Sequence, residues 1–253
     1  MKTLGIIPAR IGSQRLKSKP LIELAGKPVI RRVWEQASKA FLTDLFIATD
    51  SEEIKQLCES FGAHVIMTSS APRTGSDRVA EAYEKLSQQE KYDLVLNIQG
   101  DMPFINPELI NKCVEMCQGT TFDMATPVYP IYDKEIFERN SVVKAVFTAS
   151  GNAIYFSRAP IPYPRFQPGD GQPVGFKHIG LYIFNPDSLL RFASYETGVY
   201  EAIEGLEQLR FIENGDVVKL LFVSEALCSP GIEIDTDEDV NRALQYIRAS
   251  GIA

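Results

Sequence analysis

Short apolar runs recur through the first 130 residues: Leu4, Ile6 and Ile7, then LFIATD at 45–50, HVIM at 64–67, DLVLNIQ at 93–99 and Asp123–Tyr129. Runs of this length bounded by turn formers read as strands buried on both faces. Helical spacing lies between them. Pro28 can open a helix whose Val29, Ile30, Val33, Trp34 and Ala37 share a face. Asp50 and Glu53 resemble a capping box for a second helix, which carries Ile54, Leu57, Cys58 and Phe61 and stops at Gly62. Ser76–Leu86 and Pro107–Cys117 continue the alternation. Apolar strands spaced by amphipathic helices predict an α/β fold, a Rossmann-like, mostly parallel sheet with helices on both faces, whose ligands bind beyond the carboxyl ends of the strands.

The rhythm changes near residue 130. VVKAVFT (142–148), a Ser-Gly-Asn turn at 150–152 and AIYFSR (153–158) predict a β-hairpin. Residues 159–175 hold five prolines and three glycines, the composition of a ligand-covering loop. A helix over 200–213, a strand over 217–223 and a terminal helix from about Asp237 complete the chain. The expected organisation is one domain, with a core of about 1–130 and 215–253 and an insert of about 131–214.

The first run empties into a loop with Arg10, Arg15, Lys17 and Lys19 around Gly12 and Ser13. A buried strand ending in small residues and fixed cations suits a phosphate group. The glycine spacing of the dinucleotide fingerprint and the Gly-Lys-Ser/Thr ending of a P-loop are both absent. The net charge of −7 excludes general binding to nucleic acid or an anionic membrane. Residues 1–32 nonetheless carry eight Lys/Arg and one acid, leaving 18 basic and 32 acidic groups in the rest. A small polyphosphate fits that concentration of charge. No apolar run reaches the roughly 20 residues of a membrane-spanning helix, and the N-terminus lacks a signal-peptide layout. The four scattered cysteines contain no Cys-x-x-Cys pair, so buried thiols in a cytoplasmic protein are expected.

Further candidates stand at expected strand ends. Asn97-Ile98-Gln99-Gly100-Asp101 runs a strand into a carboxylate that can hold Mg²⁺ or cap a helix. Glu233 and Asp235 alternate with apolar neighbours as in a short strand, and Asp235 can join the metal or cap the last helix. Arg158 follows the YFS strand, and Lys177-His178 precedes GLY. On helix 200–213, Ala202, Leu206, Leu209 and Ile212 define the apolar arc, with Glu207 and Gln208 outside it, facing either a ligand or water.

IPARIGSQRLKSKPL, ATDSEEI, TGSDR, NIQGDMP, IYFSRAPIPYPR, FKHIGLY, LEQLR and IEIDTDEDV, in this order, resemble the landmarks of the sugar-acid cytidylyltransferases. YFSR, KHIGLY and LEQLR point to the branch acting on 3-deoxy-manno-octulosonate (Kdo). The resemblance implies a nucleotide loop of Pro8, Ala9, Arg10, Ser13, Arg15 and Lys19, with Lys19 near the leaving pyrophosphate and Arg10 beside the phosphates. It also implies nucleotide contacts at Ser76, Arg78 and Asp101, Mg²⁺ held by Asp101 and Asp235, and a sugar-acid pocket of Gln99, Arg158, His178, Glu207 and Gln208. Transfer of CMP from CTP to the anomeric hydroxyl of Kdo in a homodimer would follow. The alternatives are a cytidylyltransferase for 8-amino-Kdo or a nonulosonic acid, and a non-catalytic nucleotide sensor. Leu16-Lys17-Ser18-Lys19-Pro20 departs from the family's Leu-Pro-Gly-Lys-Pro, Met102 replaces the acid after Gly-Asp, and TGSDR replaces Ser-Gly-Thr.

Overall fold

The computed structural model describes residues 1–12, 16, 18–88, 90–165 and 171–252. In it the chain forms two compact units, residues 1–111 with 228–253 and residues 112–227. The insert expected from sequence was narrower, about 131–214.

In the first unit the opening apolar run is β1 (Thr3–Ala9), buried except at Pro8. After a two-stranded hairpin of β2 (Glu23–Leu24) and β3 (Lys27–Pro28), the chain enters α1 (Val29–Ala37). Pro28 is the residue before that helix and not its first, and the buried face adds Arg32, which donates through Nε and Nη2 to the Leu24 carbonyl. β4 (Asp44–Thr49), α2 (Glu52–Ser60), β5 (His64–Met67), α3 (Gly75–Ser87) and β6 (Leu94–Ile98) follow as the periodicity predicts. The cap of α2 is Ser51, whose hydroxyl accepts from the Ile54 amide. Asp50 is not the cap. Its carboxylate takes Arg78 instead. The strands lie in the order β5-β4-β1-β6, all parallel. Since β1, β4 and β5 step one way and β6 lies on the other side of β1, the switch point falls between β1 and β6.

α4 (Pro107–Met116) carries the chain into the second unit, where the parallel rule gives way. Its central strand, β7 (Met124–Ile131), pairs antiparallel with β10 (Gly175–His178) and β11 (Leu181–Phe184) and parallel with β12 (Val218–Phe222). Between β7 and β10 come α5 (Lys134–Glu138) and the expected hairpin, β8 (Lys144–Phe147) with β9 (Ala153–Ser157). β8 in turn joins β10. α6 (Pro186–Ser194), which the sequence reading missed, is capped by Asn185 with Pro186 in its first turn. The helix expected over 200–213 is broken into α7 (Val199–Glu204) and α8 (Leu209–Glu213). Gly205 ends α7 in the left-handed conformation, at φ 63°. Ala202 is exposed as a result, so the continuous apolar arc does not form.

The C-terminal segment belongs to the first unit. Residues 231–234 form no strand, contrary to expectation, and lead into a helix over Asp237–Ser250. Thr236 and Asp239 make a reciprocal capping box there, so the cap is Thr236 and not Asp235.

Candidate active site

Beyond the carboxyl ends of β1 and β6 the first unit opens a cleft of about 310 Å³. Pro8, Ala9 and Arg10 line it from β1, and Gln99, Gly100 and Asp101 from the end of β6. Gly100 is the residue that permits this approach. A Cβ there would stand 2.6 Å from the Pro8 carbonyl oxygen, so no other side chain fits without parting the two strand ends. Thr74, Gly75 and Arg78 add the amino end of α3, where backbone N–H groups and the helix dipole favour an anion.

Lys19 completes the arrangement. Its Nζ donates to Asp101 Oδ2 at 2.9 Å and to Asp235 Oδ1 at 2.6 Å, although the two carboxylates are 134 positions apart in the chain. They meet because the Ile234 N–H donates to the Asp101 carbonyl at 2.9 Å. Burial opposes the charge on Lys19, but the field of Asp101 and the hydrogen bonds it donates to both acids outweigh it, and its pKa is raised. A cation already bridges the carboxylate pair. Among the described residues no cluster of three or more His, Cys, Asp or Glu side chains could hold a metal. Two carboxylates suit Mg²⁺, which is usually held by one or two of them and completed by water and phosphate oxygens. The donor set therefore fits the ion that the resemblance implies.

The remaining expectations for this unit divide. Ser13, Arg15 and Lys17 lie outside the described residues. Ser18, which stands where the family has glycine, adopts left-handed geometry at φ 52°, and its N–H closes the loop onto the Ile11 carbonyl at 3.2 Å. Ser76 is buried and accepts from Asn97 Nδ2; it does not line the cleft. Arg78 lines it, but its guanidinium is engaged by Asp50 at 3.1 Å, by the Ser69 carbonyl at 3.2 Å and by Thr68. Thr74, Gly75, Gly100 and Pro20 are the lining residues that the sequence did not single out as binding residues. The TGSDR motif held the signal for the first two.

In the second unit Arg158, His178, Glu207 and Gln208 sit around β9, β10 and the α7–α8 turn. His178 is buried, stacks on Tyr182 with centroids 5.6 Å apart, and meets the Phe156 edge. Its Nε2 lies 2.9 Å from Thr126 Oγ1. If that hydroxyl gives its one proton to the Ile179 or the Leu181 carbonyl, at 3.1 and 3.0 Å, His178 donates from Nε2 and keeps a lone pair on Nδ1. Burial, aided by the charge of Lys177, pushes its pKa down to about 3, so the imidazole is neutral at physiological pH. Tyr182 donates to Gln208 Oε1 at 3.1 Å, which leaves the buried Gln208 Nε2 without a partner among the described residues and makes this amide a donor.

Glu207 and Gln208 owe their placement to an ion pair that brackets them. Arg210 and Glu201, both buried, meet in two-point geometry, Nη2 to Oε1 at 2.6 Å and Nε to Oε2 at 2.8 Å. The pair joins α7 to α8 across the turn at Gly205. Gln208 is thus buried, where the sequence left it facing ligand or water.

Comparison with known proteins gives the following. The family profile described as cytidylyltransferase matches residues 4–221. The 3-deoxy-manno-octulosonate cytidylyltransferase of Fusobacterium nucleatum is 40% identical over 253 residues, covering 100% of this chain and 99% of that protein. The 8-amino-3,8-dideoxy-manno-octulosonate cytidylyltransferase of Shewanella putrefaciens is 40% identical over 255 residues, covering 99% and 100%. Among solved structures, CMP:2-keto-3-deoxy-manno-octonic acid synthetase complexed with CTP aligns with a TM-score of 0.87 at 30% identity, over 99% of this chain and 100% of that one.

Proposed function

Because this chain belongs to the cytidylyltransferase family, we propose that it transfers CMP from CTP to the anomeric hydroxyl of 3-deoxy-manno-octulosonate and releases pyrophosphate. The observation that carries this reading is the Asp101–Lys19–Asp235 constellation in a phosphate-sized cleft at the switch point of a parallel sheet. The anomeric oxygen bonds to the α-phosphorus as the bond to the β-phosphate oxygen breaks, and the hydroxyl proton is released. No covalent intermediate on the protein is needed.

Asp101 and Asp235 would hold Mg²⁺, which when bound neutralises charge at the α-phosphate and lowers the pKa of the hydroxyl. Arg10 and Lys19 neutralise the triphosphate and the departing pyrophosphate, Lys19 from a position where it already balances two carboxylates. Gly75 and Thr74 offer the amino end of α3 to the nucleotide, and Pro8 and Ala9 form the opposite wall. The guanidinium of Arg158 matches the planar carboxylate of the sugar acid. His178 Nδ1 accepts a sugar hydroxyl, Gln208 Nε2 donates to one, and Glu207 completes the polar set of the second unit; Gln99, which lines the cleft of the first unit, is the sugar contact expected there. Exposed Val199, Tyr200 and Ile203 on α7 support a homodimer built on the second unit, and four cysteines that form no disulfide support a reducing, cytoplasmic setting. No helix among the described residues is long and apolar enough to cross a membrane.

A second reading, transfer to 8-amino-Kdo, is favoured by relatives of equal identity that bear that name. Pyrophosphate release with CTP and a panel of Kdo, 8-amino-Kdo and a nonulosonic acid decides between them. Turnover with Kdo at the highest kcat/KM supports the proposal; release only with another acid replaces it, and release with none rejects both. Asp101→Asn should cut turnover by about a hundredfold or more, and turnover near wild type would remove Asp101 from the site.

A further inference from the structure

β8 opens with a lysine where a central strand normally carries an apolar residue. Lys144 is wholly buried and has no carboxylate partner among the described residues. Its Nζ instead donates to three main-chain carbonyls, Arg139 at 2.9 Å, Val142 at 2.6 Å and Arg158 at 2.5 Å. Taking an ammonium out of water costs several kcal/mol unless every donor is used, and here three donors meet three acceptors. An aliphatic side chain would fill the space without that cost. The charge therefore needs a reason other than packing.

Arg158 supplies one. Its carbonyl is held by Lys144, and its other groups are held by Glu204 at the end of α7. Glu204 Oε2 accepts the Arg158 N–H at 2.9 Å, Oε1 accepts the Ser157 hydroxyl at 2.6 Å, and the Glu204 carbonyl accepts Arg158 Nε–H at 2.9 Å. Nη1 donates to the Asn140 carbonyl at 3.4 Å. The main-chain N–H, the main-chain carbonyl and the inner edge of the guanidinium are thus all engaged, whereas Nη2 has no partner among the described residues. A flexible side chain has been immobilised with part of its donor fork still unspent.

We propose that Lys144 and Glu204 are positioning residues for the substrate carboxylate, which act through Arg158 by fixing its backbone and guanidinium so that the free donors are pre-set for a sugar acid. This rests on the reading of Arg158 as the carboxylate-binding group. The three charges also sense one another. Burial pushes the Lys144 pKa down to about 8, with Glu204 acting to raise it and Arg158 to lower it further.

Steady-state pyrophosphate release with CTP and Kdo, on the full chain, tests the proposal through Lys144→Met, Glu204→Gln, Arg158→Ala and the Lys144→Met/Arg158→Ala double variant. Lys144→Met and Glu204→Gln should each raise the Kdo KM about tenfold or more while the CTP KM stays within about twofold, because a pre-set fork is lost and the nucleotide cleft is untouched. In the Arg158→Ala background, Lys144→Met should add less than about twofold. Kdo KM values near wild type in folded Lys144→Met and Glu204→Gln, with Arg158→Ala impaired, overturn the positioning role alone. Full multiplicative loss in the double variant also overturns it. An unchanged Kdo KM in Arg158→Ala overturns the carboxylate assignment, and the positioning role with it. Should Lys144→Met fail to fold, Glu204→Gln decides the matter, since its partly exposed side chain tolerates an isosteric change.

Discussion

His178 makes the stability of this protein depend on pH in a way that can be worked through. Buried between Tyr182 and Phe156 and hydrogen-bonded to Thr126, it is neutral in the folded state, with a pKa pushed down to about 3 from an ordinary 6.5. Below pH 6.5 the unfolded chain takes up a proton at this residue that the folded chain refuses. Stability is therefore fully present above about pH 6.5 and falls as the pH drops toward 3, by about 1.4 kcal/mol per pH unit. Between about pH 8 and pH 5 the loss from this one residue comes to about 2 kcal/mol. Urea denaturation of the wild type and of His178→Gln at several pH values isolates it, because glutamine can keep the donor to Thr126 while removing the titration. The only other histidine, His64, is exposed and present in both proteins. The difference between the two stability curves should change by about 2 kcal/mol over that interval. A difference that stays within about 0.5 kcal/mol would show that the imidazole can be protonated in place and would refute the burial argument.

Other consequences are as direct. Gly75→Ala puts a Cβ 3.4 to 3.6 Å from Pro8, Asn97 and Gln99, ordinary contacts for the protein itself, so melting should be unchanged or slightly raised while the CTP KM rises about tenfold; an unaltered CTP KM would place the nucleotide elsewhere. Gly100→Ala meets the Pro8 carbonyl and should cost about 1–3 kcal/mol in chemical denaturation, with loss of turnover out of proportion to the loss of fold. Glu201→Gln leaves the buried Arg210 without its charge partner and should destabilise by about 3–5 kcal/mol; a cost under about 1 kcal/mol would mean that the pair is dispensable. Ser18→Gly relieves a left-handed backbone but frees the unfolded chain, so a net gain below about 1 kcal/mol is expected, and any marked loss of stability would point to a role for the hydroxyl.

The first unit was legible because its signals are local. A buried run that empties into cations and a strand that ends in Gly-Asp each lie within a few residues. The second unit was harder. The spacing of Ala202, Leu206, Leu209 and Ile212 reads as one helix across Gly205, and only the left-handed turn there shows that the chain breaks. The bracket of Glu201 and Arg210 spans nine residues across that break, which no helical period predicts. Lys144 looks like an ordinary strand residue until its three carbonyl acceptors are seen, one of them fourteen positions away. Asp50 reads as a cap because Glu53 follows it at capping-box spacing, whereas the cap is Ser51; the pairing of Asp50 with Arg78 is long-range and invisible in the pattern. In each case the missing information is a contact made by the tertiary fold.

The hydrogen bond from Ile234 to Asp101 has a consequence for the order in which the protein becomes competent. β1, β6, the amino end of α3 and the first carboxylate are all made before residue 102, and these parts suffice to shape most of a nucleotide cleft. The second carboxylate does not exist until more than 130 further residues have left the ribosome and the chain has returned. A nascent chain short of Asp235 carries strands, loop and lysine, but Lys19 has only one acid to balance. Synthesis itself thus acts as a timer on this site: phosphate recognition can be assembled early, and the pair of carboxylates can close only once the second unit has been translated in full.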